Sequence, residues 1–199
     1  MARAQPESHR RKWELPARFI LCVARFVPEK GVFDLLEAYA KLDENLRNEV
    51  GLVFAGDGPA HAELAKRAGK VRPGTVVFPG FVQREDLAVL YALAEALIMP
   101  THSDPWGLVV NEAMACGLPI VVTCVAGCAA DMVVDGWNGY VVPSQNPERL
   151  KMAIESLLRN PELKQEMGAH SCERIGKFSP AACAAGLAAA ACSSERQAQ

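Results

Sequence analysis

From Phe19 onward, short and nearly continuous apolar runs alternate with longer stretches in which apolar residues recur every three or four positions. Short apolar runs bounded by Gly or Pro read as buried strands, and the longer spacing reads as amphipathic helix. Strands are predicted at residues 19–24, 51–55, 76–79, 97–99, 119–123 and 139–142. Helices are predicted at 32–42, with Phe33, Leu36, Tyr39 and Ala40 on one face, and at 60–68, 85–94 and 108–116. A further helix at 147–159 carries a proline in its first turn, where the missing amide proton costs nothing. Residues 162–191 read as two Ala-rich helices split at Ser179-Pro180. Strands alternating with helices imply parallel pairing with helices on both faces, and buried parallel strands should be apolar throughout. The expected fold is therefore α/β: a single Rossmann-like, doubly wound parallel sheet of about six strands. Residues 1–18 show no apolar period and read as a linker or truncated N-terminal segment, 19–192 as the domain, and 193–199 as a disordered tail.

Composition narrows the class. A chain of 199 residues is the size of one domain, and 50% hydrophobic content supports a packed core rather than disorder. A net charge of −2 argues against a nucleic-acid partner. No run approaches the ~18 apolar residues of a membrane span. The basic N-terminal residues are not followed by the apolar segment of a signal peptide. Seven cysteines are scattered, mostly among Val, Ala and Leu, without a Cys-x-x-Cys pair, and His9, His61, His102 and His170 do not cluster near them. That pattern fits buried free thiols in a reduced, cytoplasmic chain better than a zinc site or a disulfide framework.

In doubly wound sheets, ligands bind beyond the carboxyl ends of the strands, so the chemistry belongs in the loops found there. After the first strand comes Arg25-Phe-Val-Pro-Glu-Lys30-Gly31. Two cations leaving one strand end just before a helix suit a phosphate, although a solvated charged turn has the same composition. After the second strand, Gly56-Asp57-Gly58-Pro59 permits positive φ and close backbone approach, with Asp57 able to cap the next helix. It lacks the dinucleotide glycine fingerprint, and no Walker loop occurs.

The loop after the fourth strand, from Thr101 to Pro119, says most. Gly107 stands where a helix begins, so a ligand can approach the backbone and the unpaired amides there face an anion. Asp104 precedes that helix, and Glu112 lies inside it among Val, Ala and Met. A carboxylate in apolar surroundings needs a partner, and vicinal hydroxyls such as those of a ribose would provide one. The bland alternative is a surface glutamate. Trp106 suits an aromatic platform and a core residue equally, and His102 reads as a loop residue. Cations for a diphosphate, amides for the same group and carboxylates for hydroxyls describe a nucleotide-sugar pocket better than a protease or nicotinamide site. With no Asp-x-Asp pair for Mg²⁺ or Mn²⁺, Arg25, Lys30 and backbone amides would have to neutralise a departing diphosphate without a metal or other cofactor.

The run Val23-Ala-Arg25-Phe-Val-Pro-Glu-Lys30-Gly31 resembles the Gly-Arg…Pro-x-Lys-Gly element of group 1 (glycogen-synthase-like) retaining glycosyltransferases, which have the two-domain GT-B fold. Ala55-Gly-Asp-Gly-Pro59 is similar to that family's second loop, and Pro79-Gly-Phe81-Val82 to its base-binding loop. Asp104-Pro-Trp-Gly-Leu-Val-Val-Asn-Glu112 resembles its pair of acidic residues separated by seven. Gly117-Leu-Pro-Ile-Val-Val, Gly127 and Gly136-Trp-Asn-Gly139 follow in the family's order.

The resemblance implies Arg25 and Lys30 on the diphosphate, with Asp104 beside the sugar. It also implies Gly56, Gly58, Phe81, Val82, Gly107, Leu108 and Val109 around the nucleotide, and Glu112 on the ribose. Asp104 stands where the family has Glu, and Ala24 where it has Gly. The implied protein is the C-terminal, donor-binding half of a glycosyltransferase. Its partners would be a nucleotide-sugar donor and an N-terminal acceptor domain missing upstream, through which alone any peripheral membrane association would run. The residues after Pro180 resemble the helix that crosses back to that domain. A sugar-nucleotide epimerase of the same architecture and a non-catalytic nucleotide-sugar-binding module are the alternatives.

Overall fold

In the computed structural model, which describes residues 4–179, 181–182 and 184–185, six apolar runs line up as one all-parallel sheet. They are β1 (Arg18–Val23), β2 (Val50–Ala55), β3 (Val76–Gly80), β4 (Leu97–Met99), β5 (Ile120–Thr123) and β6 (Gly139–Val142). Their order across the sheet is β3-β2-β1-β4-β5-β6. The first three strands thus step outward in one direction and the last three in the other, and the two halves meet where β1 lies beside β4. The helices are α1 (Ala4–Lys12), α2 (Val32–Ala40), α3 (Glu44–Glu49), α4 (His61–Ala68), α5 (Arg84–Leu93), α6 (Leu108–Ala115), α7 (Ala129–Met132), α8 (Pro147–Arg159) and α9 (Pro161–Ile175).

Alternation along each strand sorts the core into two clusters. Ile20, Cys22, Leu52, Phe54, Ile98 and Val121 point to one face, where they meet Leu35, Leu36 and Tyr39 of α2, Leu64 of α4 and Ile154 of α8. Phe19, Leu21, Val53, Leu97, Ile120 and Val122 point to the other face and meet Leu90 of α5, Met114 of α6 and Met132 of α7. Both faces are covered, so the strands carry no polar side, which is why they read as unbroken apolar runs. Helix α9 closes the end of the domain: its Met167 is buried in the first cluster, while Ile175 packs against the second.

The predicted strands and the helices between them are present, with ends moved by one or two residues. Three short helices were not expected. Residues 4–12, read as part of a linker, form α1 instead. That helix has no apolar stripe because it docks through polar contacts: His9 and Lys12 both reach Asp86 of α5, at 2.9 and 3.2 Å, and Trp13 packs on the second cluster just beyond it. In α3, Asp43 caps the helix by accepting from the Asn45 amide at 2.9 Å. Nearby, the Arg47 guanidinium is buried and donates to the carbonyls of Leu42 and Pro73. At four residues, α7 is too short to show a period. The second Ala-rich helix lies largely, and the 193–199 tail entirely, outside the described residues. No described helix is long and apolar enough to cross a membrane.

Two features hold opposite ends of the sheet. At the amino end, the carboxylate of Glu95 accepts from Arg18 at 2.6 Å and from Lys164 of α9 at 2.6 Å, tying β1 and α9 to the entry of β4. Burial would raise that carboxyl, but the hydrogen bonds from Arg18 and Lys164 outweigh it and hold it below the ordinary carboxylate range. At the carboxyl end, Gly31 (φ 64°) joins the first loop to α2, and a Cβ there would run into the carbonyl of Pro100 just after β4.

A carboxyl depressed on folding contributes stability above its unfolded pKa of ~4.3, and that contribution is lost as the pH falls. Glu95→Gln is therefore expected to lose about 1–3 kcal/mol in urea unfolding at neutral pH. The gap to wild type should narrow below pH ~4, where wild type loses the same contribution; a gap independent of pH would contradict the assignment. Gly31→Ala adds left-handed strain to a backbone clash and is expected to cost at least ~2 kcal/mol. Unchanged stability would show that the two loops are not in close contact.

Candidate functional site

The site begins where β1 ends. Its ladder with β2 runs past the strand ends, the Ala24 amide bonding the carbonyl of Ala55 at 3.1 Å and the Phe26 amide that of Asp57 at 2.9 Å. The Ala60 amide closes back onto the Phe26 carbonyl at 3.0 Å. Beneath this zipper the Phe26 ring is fully buried against Phe54, Phe78 and His61. Arg25 is thus fixed through its backbone on both sides. Its side chain is exposed and makes no hydrogen bond or ion pair among the described residues.

Lys30 ends a one-turn 3₁₀ helix, Pro28–Lys30, that the fourth strand's loop holds in place. The carbonyl of Glu29 accepts from the His102 amide at 2.8 Å and from the Thr101 hydroxyl at 3.1 Å. The Lys30 ammonium then donates to Asp104 Oδ2 at 2.6 Å and to the Ser103 carbonyl at 3.3 Å. His102, read as a loop residue, pairs through Nε2 with Asp34 of α2 at 2.8 Å and fastens the same loop from its other side.

Asp104 serves this loop twice, because its Oδ1 accepts from the Trp106 amide at 3.0 Å. Its carbonyl accepts from the Gly127 amide at 2.9 Å, which joins the loop to the one after β5. Gly107 follows in the left-handed region (φ 95°) and turns the chain into α6. Within the described residues the amides of Leu108 and Val109 have no protein acceptor, and both residues border the cleft. The Trp106 indole is tied by Nε1 to Asn111 at 2.9 Å.

Two adjoining cavities, of about 510 and 410 Å³, lie across the carboxyl ends of β1 and β4. They share Val23, Ala24, Arg25 and Val109, so together they form one cleft with Arg25 at its middle. On one side are Gly56, Asp57, Phe81, Val82 and Leu87; on the other are Lys30, Asp104, Trp106, Gly107 and Leu108. Each cavity falls within the ~300–1,000 Å³ usual for ligand pockets. Phe81 and Leu108 are 75% and 68% exposed, leaving an apolar rim on both sides. Cys22 borders the cleft, but burial pushes its thiol up to about 12, so it holds no thiolate at neutral pH.

Most residues singled out from the sequence therefore meet in one cleft, with three qualifications. Gly58 does not line it and packs instead against the backbone of Phe26, which explains the glycine sterically. Asp104 lines it, yet both its oxygens are engaged by protein donors. Glu112 opens into a neighbouring depression of about 200 Å³ between α5 and α6, which touches the cleft through Leu87. Its partner is Tyr91, which the sequence reading missed; the only trace was a phenol placed in an apolar helix. Leu87 was missed too, since its spacing marks it simply as a helix residue facing inward.

Residues 5–174 match the family described as glycosyl transferases group 1. A curated relative, an uncharacterized glycosyltransferase of Methanocaldococcus jannaschii, is 31% identical over 169 residues, or 85% of this chain and 46% of that protein. Sucrose-phosphate synthase from Thermosynechococcus elongatus superposes with a TM-score of 0.72 at 30% identity, over 85% of this chain and 44% of that one. Anabaena HepE, solved in complex with UDP and glucose, gives a TM-score of 0.76 over 87% of this chain and 48% of that one; at 22% identity this shows the fold. The chain thus spans less than half the length of the curated relative and of these two structures, and its sheet matches the C-terminal domain of GT-B glycosyltransferases. It belongs to the group 1 glycosyltransferase family.

Proposed function

We propose that this chain is the nucleotide-sugar-binding half of a retaining glycosyltransferase, acting in the cytoplasm with an acceptor-binding domain across the cleft. The observation that carries the reading is that Arg25 and Lys30 open into one cleft over the β1/β4 junction. Arg25 has no partner among the described residues, and its planar fork suits two phosphate oxygens. The Lys30 ammonium has three donors, of which Asp104 and the Ser103 carbonyl use two, leaving the third for the diphosphate. The Leu108 and Val109 amides at the start of α6 add dipolar charge of the same sign.

The lining of the cleft supports an arrangement for the rest of the ligand, in keeping with the resemblance of residues 79–82 to a base-binding loop. Asp57 borders the cavity beyond Arg25 and would repel phosphate, so that side, with Phe81, Val82 and Leu87, suits the apolar faces of a base. The sugar then lies toward Asp104 and Trp106. As an acceptor hydroxyl attacks the anomeric carbon, the bond to the diphosphate breaks with its electron pair going to the leaving phosphate oxygen, where negative charge gathers and to which the hydroxyl's proton passes. Arg25, Lys30 and the two amides lie on the side where that charge develops, and stabilisation there lowers the barrier. Asp104, holding Lys30 and the Trp106 amide, shapes this end of the cleft and meets sugar hydroxyls only at its remaining lone pairs. HepE, which shares the fold and holds UDP and glucose, supports the reading at the level of architecture.

A thermal-shift screen against UDP, GDP and ADP should single out a base, since a ligand at ~100 times its Kd adds ~2.7 kcal/mol of stability. For that diphosphate, Lys30→Ala is expected to weaken binding at least ~10-fold by calorimetry, because a charge-assisted hydrogen bond is lost. Affinity for the matching nucleoside, which has no phosphate, should not change. Equal diphosphate affinity in wild type and variant would remove Lys30 from the site.

A further inference from the structure

Tyr91 lies in α5 and is 2% exposed, with its ring inside the second core cluster. Its hydroxyl crosses to α6 and donates to Glu112 Oε2 at 2.9 Å. A buried phenol needs an acceptor, and this carboxylate is the partner it has. Burial, and then the negative charge of Glu112, push the phenol's pKa upward, so it stays a donor throughout the neutral range. The other oxygen, Oε1, has no partner among the described residues. A depression bordered by Arg84, Leu87 and Cys116 opens over this carboxylate, and Leu87 leads from it into the cleft that holds Arg25.

We infer that Tyr91 is a positioning residue that gives the site its preference for ribose hydroxyls. This rests on the function proposed above, with Glu112 as the ribose acceptor. A glutamate side chain has three torsions, and an unrestrained one must be ordered each time a ligand binds. Clamping Oε2 to a phenol that is itself locked in the core orders the carboxylate beforehand and leaves Oε1 to accept from the sugar. The clamp also ties α5 to α6, the helices that border the base and the diphosphate of the proposed ligand. Tyr91 touches no reacting atom; its effect passes through Glu112.

The test is calorimetry of the 199-residue chain with UDP, GDP and ADP and with their 2′,3′-dideoxy counterparts, on wild type, Tyr91→Phe, Glu112→Ala and the double variant. Tyr91→Phe keeps the ring and its volume, and circular dichroism melting checks that the fold survives. Wild type is expected to prefer the ribose form by ~10-fold or more, the value of a hydrogen bond to a charged group. Tyr91→Phe should reduce that preference to within about threefold, while affinity for the dideoxy form stays at the wild-type value. In the Glu112→Ala background, where the preference is already lost, Tyr91→Phe should change nothing further.

If Tyr91→Phe weakened both forms equally, its role would be structural packing and the inference would fall. An undiminished preference would mean that Glu112 needs no clamp, with the same consequence. Should wild type bind none of the diphosphates, the proposed function itself would fail and take this inference with it. Binding without any hydroxyl preference would leave the diphosphate site standing and remove both Glu112 and Tyr91 from it.

Discussion

Two strands that are neighbours in the sheet, β1 and β4, are separated in the chain by β2, β3 and the helices between them. The connections leaving them run in opposite directions across the sheet, so their loops diverge and a crevice opens above the junction. No side chain has to be spent on making this crevice; it follows from strand order alone. What the sequence adds is the chemistry on its two banks. Arg25 and Lys30 come from the β1 side, and the amino end of α6 comes from the β4 side.

A crevice between divergent loops could be soft, and the hydrogen bonds show how it is stiffened. The first loop is zipped to the second through Phe26 and to the fourth through Glu29, and the fourth is joined to the fifth through Asp104 and Gly127. The Lys30–Asp104 pair belongs to this bracing as much as to any ligand site. Because backbone groups do most of the joining, the loops that carry the cations are set before a ligand arrives, and Lys30 is held by Asp104, so the ordering left to binding is mainly that of the Arg25 side chain. The Glu95 network stands at the other end of the strands, so the fold is secured far from the cleft.

The fold was legible because burial on both faces writes itself into the sequence as unbroken apolar strands, and because Gly and Pro mark their ends. The cleft was legible in part for the same reason: strand ends announce loops, and Arg25, Lys30 and Gly107 stand in them. What stayed hidden depends on contacts between elements distant in sequence. Helix α1 holds on through His9 and Lys12 to Asp86, over 70 residues away, and carries no period of its own. The side chain of Asp104 gives no sign that Lys30 and the Trp106 amide will occupy it. Glu112 was expected to have a partner, but only the packing of α5 on α6 identifies that partner as Tyr91 and sets the carboxylate in a side depression.

On the function proposed, the cleft over the β1/β4 junction grips a diphosphate. A crystal structure of the chain soaked with the nucleoside diphosphate that most raises its melting temperature tests this most directly. Phosphate density is expected within hydrogen-bond distance of the Arg25 guanidinium and the Lys30 ammonium, beside the Leu108 and Val109 amides, with the base toward Phe81 and Val82. Density seated elsewhere, for instance in the depression lined by Asp135 and Arg149 at the β6 edge, would contradict it.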